Sequence, residues 1–468
     1  MTRRIYAPRL YQQPATEHLL THPRCALWAG MGLGKTVSTL TALDALFLSE
    51  TAPALILGPL RVARRVWTDE AAKWEHLRGL EVSPIVGGLP ARIAALKRDA
   101  NVFTVNYEIL PWLVDYLGER WPFGTVVADE STRLKGFRLR QGTLRARAIA
   151  RLAHTKIKRW INLTGTPSPN GLKDLWGQTW FLDAGERLGR TFSAFQQRWF
   201  QVSFDGFSIE PLPLAREQIE GKLADLCLSI QAEDHFDLAK PIINNVYVDL
   251  PTSARRLYRD MEKEMFLELE GHEVEAFNAA ARTQKLLQLA NGAVYVDPLV
   301  SSEDVSSARM WKEVHDVKLQ ALEEIIEEAA GAPVLVAYQF RSDLTRLLKA
   351  FPKARLLSSD ESIRAFALGT ISVGLAHPKS MGHGVEGLQE HCNILAFFGH
   401  DWNLEEYLQM IERIGPVRQM QSGHKRPVFV HHIIARDTVD ELVMARREGK
   451  RSVQDLLLAA MKRRSSHA

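Results

Sequence analysis

A chain of 468 residues is long for one hydrophobic core, so two domains are the first expectation. With 46% hydrophobic and 24% charged residues it reads as an ordinary globular protein; no run approaches the ~18 apolar residues of a membrane span, and the opening MTRRIYAPRLY lacks the apolar stretch of a secretory signal. The formal net charge of +4 is too small to name a partner, and Cys25, Cys227 and Cys392 are too dispersed for a disulfide framework or a metal knuckle, so a reducing, cytoplasmic setting without membrane attachment is expected.

The first third alternates short apolar runs with helical patterns. CALWAG, ALILGPL, VFTVNY, TVVADE and WINLTG are β-rich and punctuated by Gly, Pro or Asn, while KTVSTLTALDALFL, RRVWTDEAAKW and PARIAALKRDA carry helical spacing. This alternation predicts an α/β fold with a parallel sheet and helices on both faces. Directly after CALWA stands GMGLGKT, a glycine-rich turn that opens a helix. A phosphate-binding loop usually begins with glycine where this chain has Ala29, and alanine is the smallest side chain that can meet the same packing need. The loop Gly30, Met31, Gly32, Leu33 and Gly34 would turn its N–H groups toward phosphates, Lys35 would reach the β- and γ-phosphates, and Thr36 would bind magnesium at a helix N-terminus.

Farther along, TVVADEST ends an apolar strand in Asp129 and Glu130. Behind a phosphate loop such a pair supplies a second magnesium contact, Asp129, and a water-activating carboxylate, Glu130. From Ser131 through Lys173 there is no Asp or Glu, while Arg133, Lys135, Arg138, Arg140, Arg145, Arg147, Arg151, Lys156, Lys158, Arg159 and Lys173 accumulate. A field of one sign suits a polyanion, and a solvated face with acidic neighbours from elsewhere in the fold is the competing reading. Within this stretch NLTGTPSPN places small hydroxyls after a strand.

From about 172 to 310 the pattern is mostly helical, AREQIEGKLADLCLSI included, with one strand-like interruption at INNVYVDL and a Ser-rich turn-like segment at PLVSSEDVSSARM. Strand-helix alternation then resumes through VLVAYQF, ISVGLAH, CNILAFFG and VFVHHII. The expected division is an ATP-binding lobe over 1–185, a mainly helical insertion over 186–312 and a second α/β lobe over 313–468. Leu286, Leu287 and Leu289 read as core, the eleven tryptophans as mostly core, and Arg446 and Arg447 as part of a solvated basic tail. His377, His383, His391 and Cys392 fit no metal-ligand spacing.

The ordered set GMGLGKT, DEST followed by RLK, and LTGTPSPNGLKDLW resembles the Swi/Snf-type ATPases of helicase superfamily two. LYQQ is similar to the family's glutamine motif, with Gln12 aligned; LILGPLRVARRVWTDEAAKW to motif Ia; TVNYEIL to its Tyr-Glu motif; VLVAYQFRSDL to motif IV; HPKSMGHGVEGLQ to motif V; and ILAFFGHDWNLEEYLQMIERIGPVRQ to the segment entering motif VI. The likeness runs from about residue 5 to 445 and is strongest to compact phage-encoded members. It implies two RecA-like lobes, ATP and magnesium in the cleft, and ATP-driven movement on duplex DNA. On this resemblance Gln12 contacts adenine, Gly384 and Gln409 belong to the nucleotide site, and Arg413 is an arginine finger with Arg418 as a second candidate. A phage setting further implies the host cytoplasm and phage or host DNA-processing partners.

Three departures stand out. The acidic box has Thr132 where many relatives have His, Trp28-Ala29-Gly30 stands where relatives often carry acidic residues, and the family's second arginine falls on Pro416. Proline ends or bends a helix, which could bring Arg418 to the site instead. Two other functions remain in view: an RNA-directed superfamily-two helicase, and an ATP-binding nucleic-acid scaffold without turnover.

Overall fold

The computed structural model describes residues 3–30, 32–165, 167–168, 171–202, 209–230, 239–271, 276–295, 311–381 and 385–449; Met31, Thr166, Gly382, His383 and Gly384 lie outside them. The chain divides into two compact units, 1–238 and 239–468.

Unit 1 is built on β1 (Arg24–Ala29), β2 (Ala54–Gly58), β3 (Val82–Ile85), β4 (Val102–Asn106), β5 (Thr125–Asp129) and β6 (Arg159–Thr164), with a short hairpin of β7 (Phe200–Val202) and β8 (Ile209–Pro211), and then β9 (Cys227–Ile230). The main sheet has seven strands in the order β3-β4-β2-β5-β6-β1-β9, all parallel. Its central strands are covered on both faces, which explains the unbroken apolar runs that announce them. Pro84 is tolerated because β3 is the edge strand. The stretch AREQIEGKLADLCLSI does not stay helical: a helix covers Ala215–Leu223, and CLSI joins the sheet as β9 beside β1. Its local spacing is ambiguous, and pairing with the open edge of β1 decides the outcome. Tryptophan fills this core as expected. Trp67, Trp160, Trp176 and Trp199 are fully buried, and Trp160 stacks on Phe181 at 4.7 Å.

Unit 2 contains β10 (Ile242–Val248), a small antiparallel pair of β11 (Ala293–Tyr295) and β12 (Trp311–Glu313), and then β13 (Val334–Ala337), β14 (Arg355–Leu356), β15 (Val373–Ala376), β16 (Ile394–Phe397) and β17 (Phe429–Ala435). Its parallel sheet has six strands in the order β10-β17-β16-β13-β15-β14. Separate apolar clusters cover its two faces. A satellite cluster joins Leu286, Leu287 and Leu289 to Val439 and Val443. A fully buried ion pair, Lys318 to Asp440 at 2.6 Å, stitches the helix Val317–Glu328 to the helix Val439–Gly449, and Lys318 Nζ also donates to Asn291 Oδ1 at 2.9 Å. The expected solvated tail is corrected at Arg447. That residue follows Val439 and Val443 on one helical face, so its guanidinium packs inward, 3.9 Å from the Tyr407 ring centroid.

Candidate active site

Register assembles the chemistry of unit 1. Leu163 of β6 pairs with Asp129 on one side and with Leu27 on the other, so the residues that follow β1, the acidic pair at the end of β5 and the residues that directly follow β6 emerge at one edge of the sheet. The carboxyl ends of parallel strands are where open α/β sheets bind ligands.

The loop turns through left-handed backbone at Gly32 and Gly34, with φ of 78° and 79°. At Gly34 a Cβ would also overlap the Gln12 carboxamide, so only glycine fits. The buried Gln12 braces the loop: its Nε2 donates to the Leu33 carbonyl at 3.4 Å, and its Oε1 accepts from the Arg9 N–H at 2.9 Å. Lys35 opens the helix Lys35–Leu46, and its Nζ donates back to the carbonyls of Ala29 at 2.7 Å and Gly30 at 3.2 Å. Thr36 is the second residue of that helix.

The Asp129 side chain accepts a hydrogen bond from Trp67 Nε1 at 3.2 Å, and its backbone carbonyl accepts from the Tyr107 hydroxyl at 2.9 Å. Burial raises its pKa, opposed by the nearby Lys35 charge, the Trp67 indole and the Glu130 backbone N–H. Glu130 sits in left-handed backbone with φ 55° and ψ 58°, an uncommon state for a residue with a side chain and one that clusters at functional sites. Ser131 then begins a short 3₁₀ turn, Ser131–Leu134. Sequence reasoning missed Trp67, Tyr107, Ser131 and Gln178. The one signal for Gln178 is a glutamine on a helix otherwise buried through Leu175, Trp176, Phe181 and Leu182.

In unit 2, Gln409 is buried on the helix Leu404–Glu412 and donates to Glu405 Oε1 at 3.3 Å. Arg413 follows that helix and is buried, its guanidinium donating to the Val385 carbonyl of the HPKSMGHGVEGLQ segment at 2.8 Å. Pro416 stands at the first position of a new helix, Pro416–Gln421, which carries the half-buried Arg418. Gln419 is occupied by structure, donating to the carbonyls of Cys392 at 2.7 Å and Ile414 at 3.0 Å. Gly384 falls outside the described residues, as does Met31. His377, His391 and Cys392 each bond to a backbone carbonyl, of Gln339, Ala367 and Ile394 respectively.

The basic stretch is less free than its sequence suggests. Arg133 and Arg145 flank Glu108 at 3.6 Å each, Lys135 meets Asp174 at 3.5 Å, Arg151 meets Asp115 at 3.4 Å, and Lys156 meets Glu119 at 2.8 Å. Burial opposes the charge on Glu108, yet its pKa is lowered by the Asn106 amide, by its own backbone N–H and by the two arginines. Arg159 is buried and caps the carbonyls of Leu19, Leu20 and His22. Arg140, Arg147 and Lys158 are exposed and make no ion pair among the described residues.

Protein p41 of Acyrthosiphon pisum secondary endosymbiont phage 1 is 56% identical over 98% of this chain and 100% of its own length. The TATA-binding protein-associated factor BTAF1 of Arabidopsis thaliana is 25% identical over 92% of this chain, which spans 24% of that protein. The human SWI/SNF-related matrix-associated actin-dependent regulator of chromatin subfamily A member 1 is 23% identical over 92% of this chain and 41% of its own length. Among solved structures, the Sulfolobus solfataricus SWI2/SNF2 ATPase core in complex with dsDNA aligns over 95% of this chain and 91% of its own, with 22% identity and a TM-score of 0.44. The SNF2-related domain matches residues 15–302, and the chain belongs to that family of ATP-dependent, helicase-like hydrolases.

Proposed function

We propose that this protein is a DNA-stimulated ATPase that moves along DNA, duplex in preference to single strands, hydrolysing ATP to ADP and phosphate. The carrying observation is the shared edge of β1, β5 and β6, which gathers Lys35, Thr36, Asp129 and Glu130. The triphosphate would rest on the N–H groups of the Gly30–Gly34 loop and the N-terminus of the following helix. Lys35 would exchange the Ala29 and Gly30 carbonyls for phosphate oxygens. Thr36 and Asp129 offer the hard oxygen donors that suit magnesium and would hold it, and the ion supplies neutralisation of phosphate charge. Glu130 would take the proton of the attacking water as its oxygen bonds to the γ-phosphorus and the bond to the bridging oxygen breaks, releasing ADP. Gln12, already tied to the loop, is assigned the adenine contact. From unit 2, Gln409 and Gly384 are assigned to the nucleotide site, and Arg413 and Arg418 are the candidate fingers. Support for a DNA track comes from family membership, from the name of the human relative as a regulator of chromatin, and from the exposed arginines of the basic stretch. The phage relative supports a place among DNA-processing proteins in a phage-infected host.

Phosphate release with duplex DNA, single-stranded DNA or RNA tests the proposal. Duplex DNA is expected to stimulate turnover many-fold; equal stimulation by RNA, or none by any ligand, overturns it. Glu130→Gln serves as the internal control, keeping ATP binding and losing turnover.

A further inference from the structure

A continuous polar link joins the acidic box to the TGTPSPN loop through the helix Lys173–Asp183, and we infer that Gln178 is a positioning residue that carries the state of the ATP site to that loop. This role rests on the DNA-stimulated ATPase reading and adds to it the route of regulation. Ser131, adjacent to the assigned base Glu130, donates its hydroxyl proton to Gln178 Oε1 at 2.8 Å. The other end of the same carboxamide donates to the Pro167 carbonyl at 2.7 Å and to the Asp174 carbonyl at 2.9 Å. Ser131 is fully buried and Gln178 is 4% exposed, so water does not substitute for a lost partner. Both amide protons are engaged and the oxygen is held, which fixes the orientation of the carboxamide.

Two independent contacts make the helix follow the box. A Cβ on Gly177 would lie 2.5 Å from the Lys135 carbonyl and 2.8 Å from that of Leu134, so the helix backbone rests directly on the turn after the box and only glycine permits it. Lys135 and Asp174 close an ion pair at 3.5 Å across the same junction. A helix seated this tightly moves with its support rather than deforming. Any rotation at Glu130 displaces Ser131 first, and Gln178 is the side chain that hands the displacement to Pro167. The route also runs in reverse: a nucleic acid that pulls on the loop after β6 reorients the residue beside the base. It uses the third position of the box, Ser131, whereas the sequence directed attention to the fourth, Thr132.

The test uses the full chain and the variants Gln178→Met and Gln178→Glu, with ATP turnover measured with and without duplex DNA and thermal melts recorded in parallel. Gln178→Met, nearly the same shape without either polar arm, is expected to hold basal turnover within about twofold while the stimulation ratio falls about tenfold, the size of one lost buried hydrogen bond. Gln178→Glu keeps an acceptor for Ser131 but loses the donor to Pro167, and the ratio should fall with it, because transmission needs both arms. If Gln178→Met does not melt cooperatively, Gln178→Glu is read by the same criteria. An undiminished stimulation ratio overturns the proposal, as does a parallel fall of basal and stimulated rates, which places Gln178 in the fold alone. A wild-type chain that DNA does not stimulate overturns the DNA reading itself, a result visible before any variant is compared.

Discussion

The carboxylate of Asp129 is pulled both ways by its surroundings. Burial favours the neutral acid, whereas the Lys35 charge, the Trp67 indole N–H and the Glu130 backbone N–H favour the ion, and the balance leaves the pKa raised. A raised acid pKa stabilises the fold while the group is protonated, and that contribution disappears as pH rises through the folded value. A cation needs the ionised form, so metal affinity should weaken as pH falls through the same raised value. Trp67→Phe keeps a ring in the core while deleting the donor and part of the indole's buried volume. It should raise the Asp129 pKa further, shift the acid limb of magnesium-dependent ATP binding to higher pH, and cost about 10- to 100-fold in metal affinity, as loss of a partner behind a metal ligand does. Titrating magnesium against a fluorescent ATP analogue at several pH values checks this, and superimposable curves for variant and wild type would reduce Trp67 to packing. The position of the carboxylate was legible from sequence because the acidic pair closes an apolar run with the composition of a buried strand. Trp67 was not, because nothing local tells an indole in a distant helix that its N–H will meet β5.

At the level of elements, the break around Gly415 decides how the two arginines can act. The helix Leu404–Glu412 stops one residue before Arg413, and Pro416 starts the next helix, where its missing N–H costs nothing. A Cβ on Gly415 would stand 3.2 Å from both the Glu412 Cα and the Ile411 carbonyl, so the junction is close-packed. Arg413 and Arg418 therefore sit on opposite sides of a break rather than on one continuous helical face. Arg413 is already tied to the Val385 carbonyl, and so couples the two motif segments of unit 2. Arg413→Ala is expected to lower kcat by about 10³- to 10⁵-fold, the range of an arginine finger, with Arg418→Ala smaller. Steady-state kinetics on both variants settles the order; a larger loss at Arg418 would move the finger to the second helix. The proline break was legible because proline acts locally, through its ring and its lost N–H. The strand at Cys227–Ile230 was not, since so short a segment, CLSI, becomes a strand only when a neighbour such as β1 offers its edge.

On the scale of the whole molecule, charge is distributed by the fold and not by the order of residues. The run from Arg133 to Lys173 reads as one basic track, yet acidic side chains from three other segments (Glu108, Asp115 with Glu119, and Asp174) fold against it, and Arg159 is spent on backbone carbonyls. Sequence alone shows the run and hides its partners, because the acids lie elsewhere in the chain. The paired residues belong to the architecture of unit 1, as the competing reading had it, while Arg140 and Arg147 are exposed and are the residues of the stretch we propose for phosphate contact. Counterion release turns that distinction into a measurement. Each phosphate neutralised by protein adds about −0.9 to the slope of log K against log salt for duplex DNA. Arg140→Ala and Arg147→Ala should each make that slope shallower by about one such step and weaken binding uniformly across sequences. Arg159→Ala should leave the slope alone and instead lower the melting temperature, because it removes a buried side chain and three hydrogen bonds to backbone carbonyls, that of Leu19 buried. Binding isotherms on a duplex at several salt concentrations distinguish the two classes, and slopes unchanged in both exposed-arginine variants would remove the stretch from the DNA path.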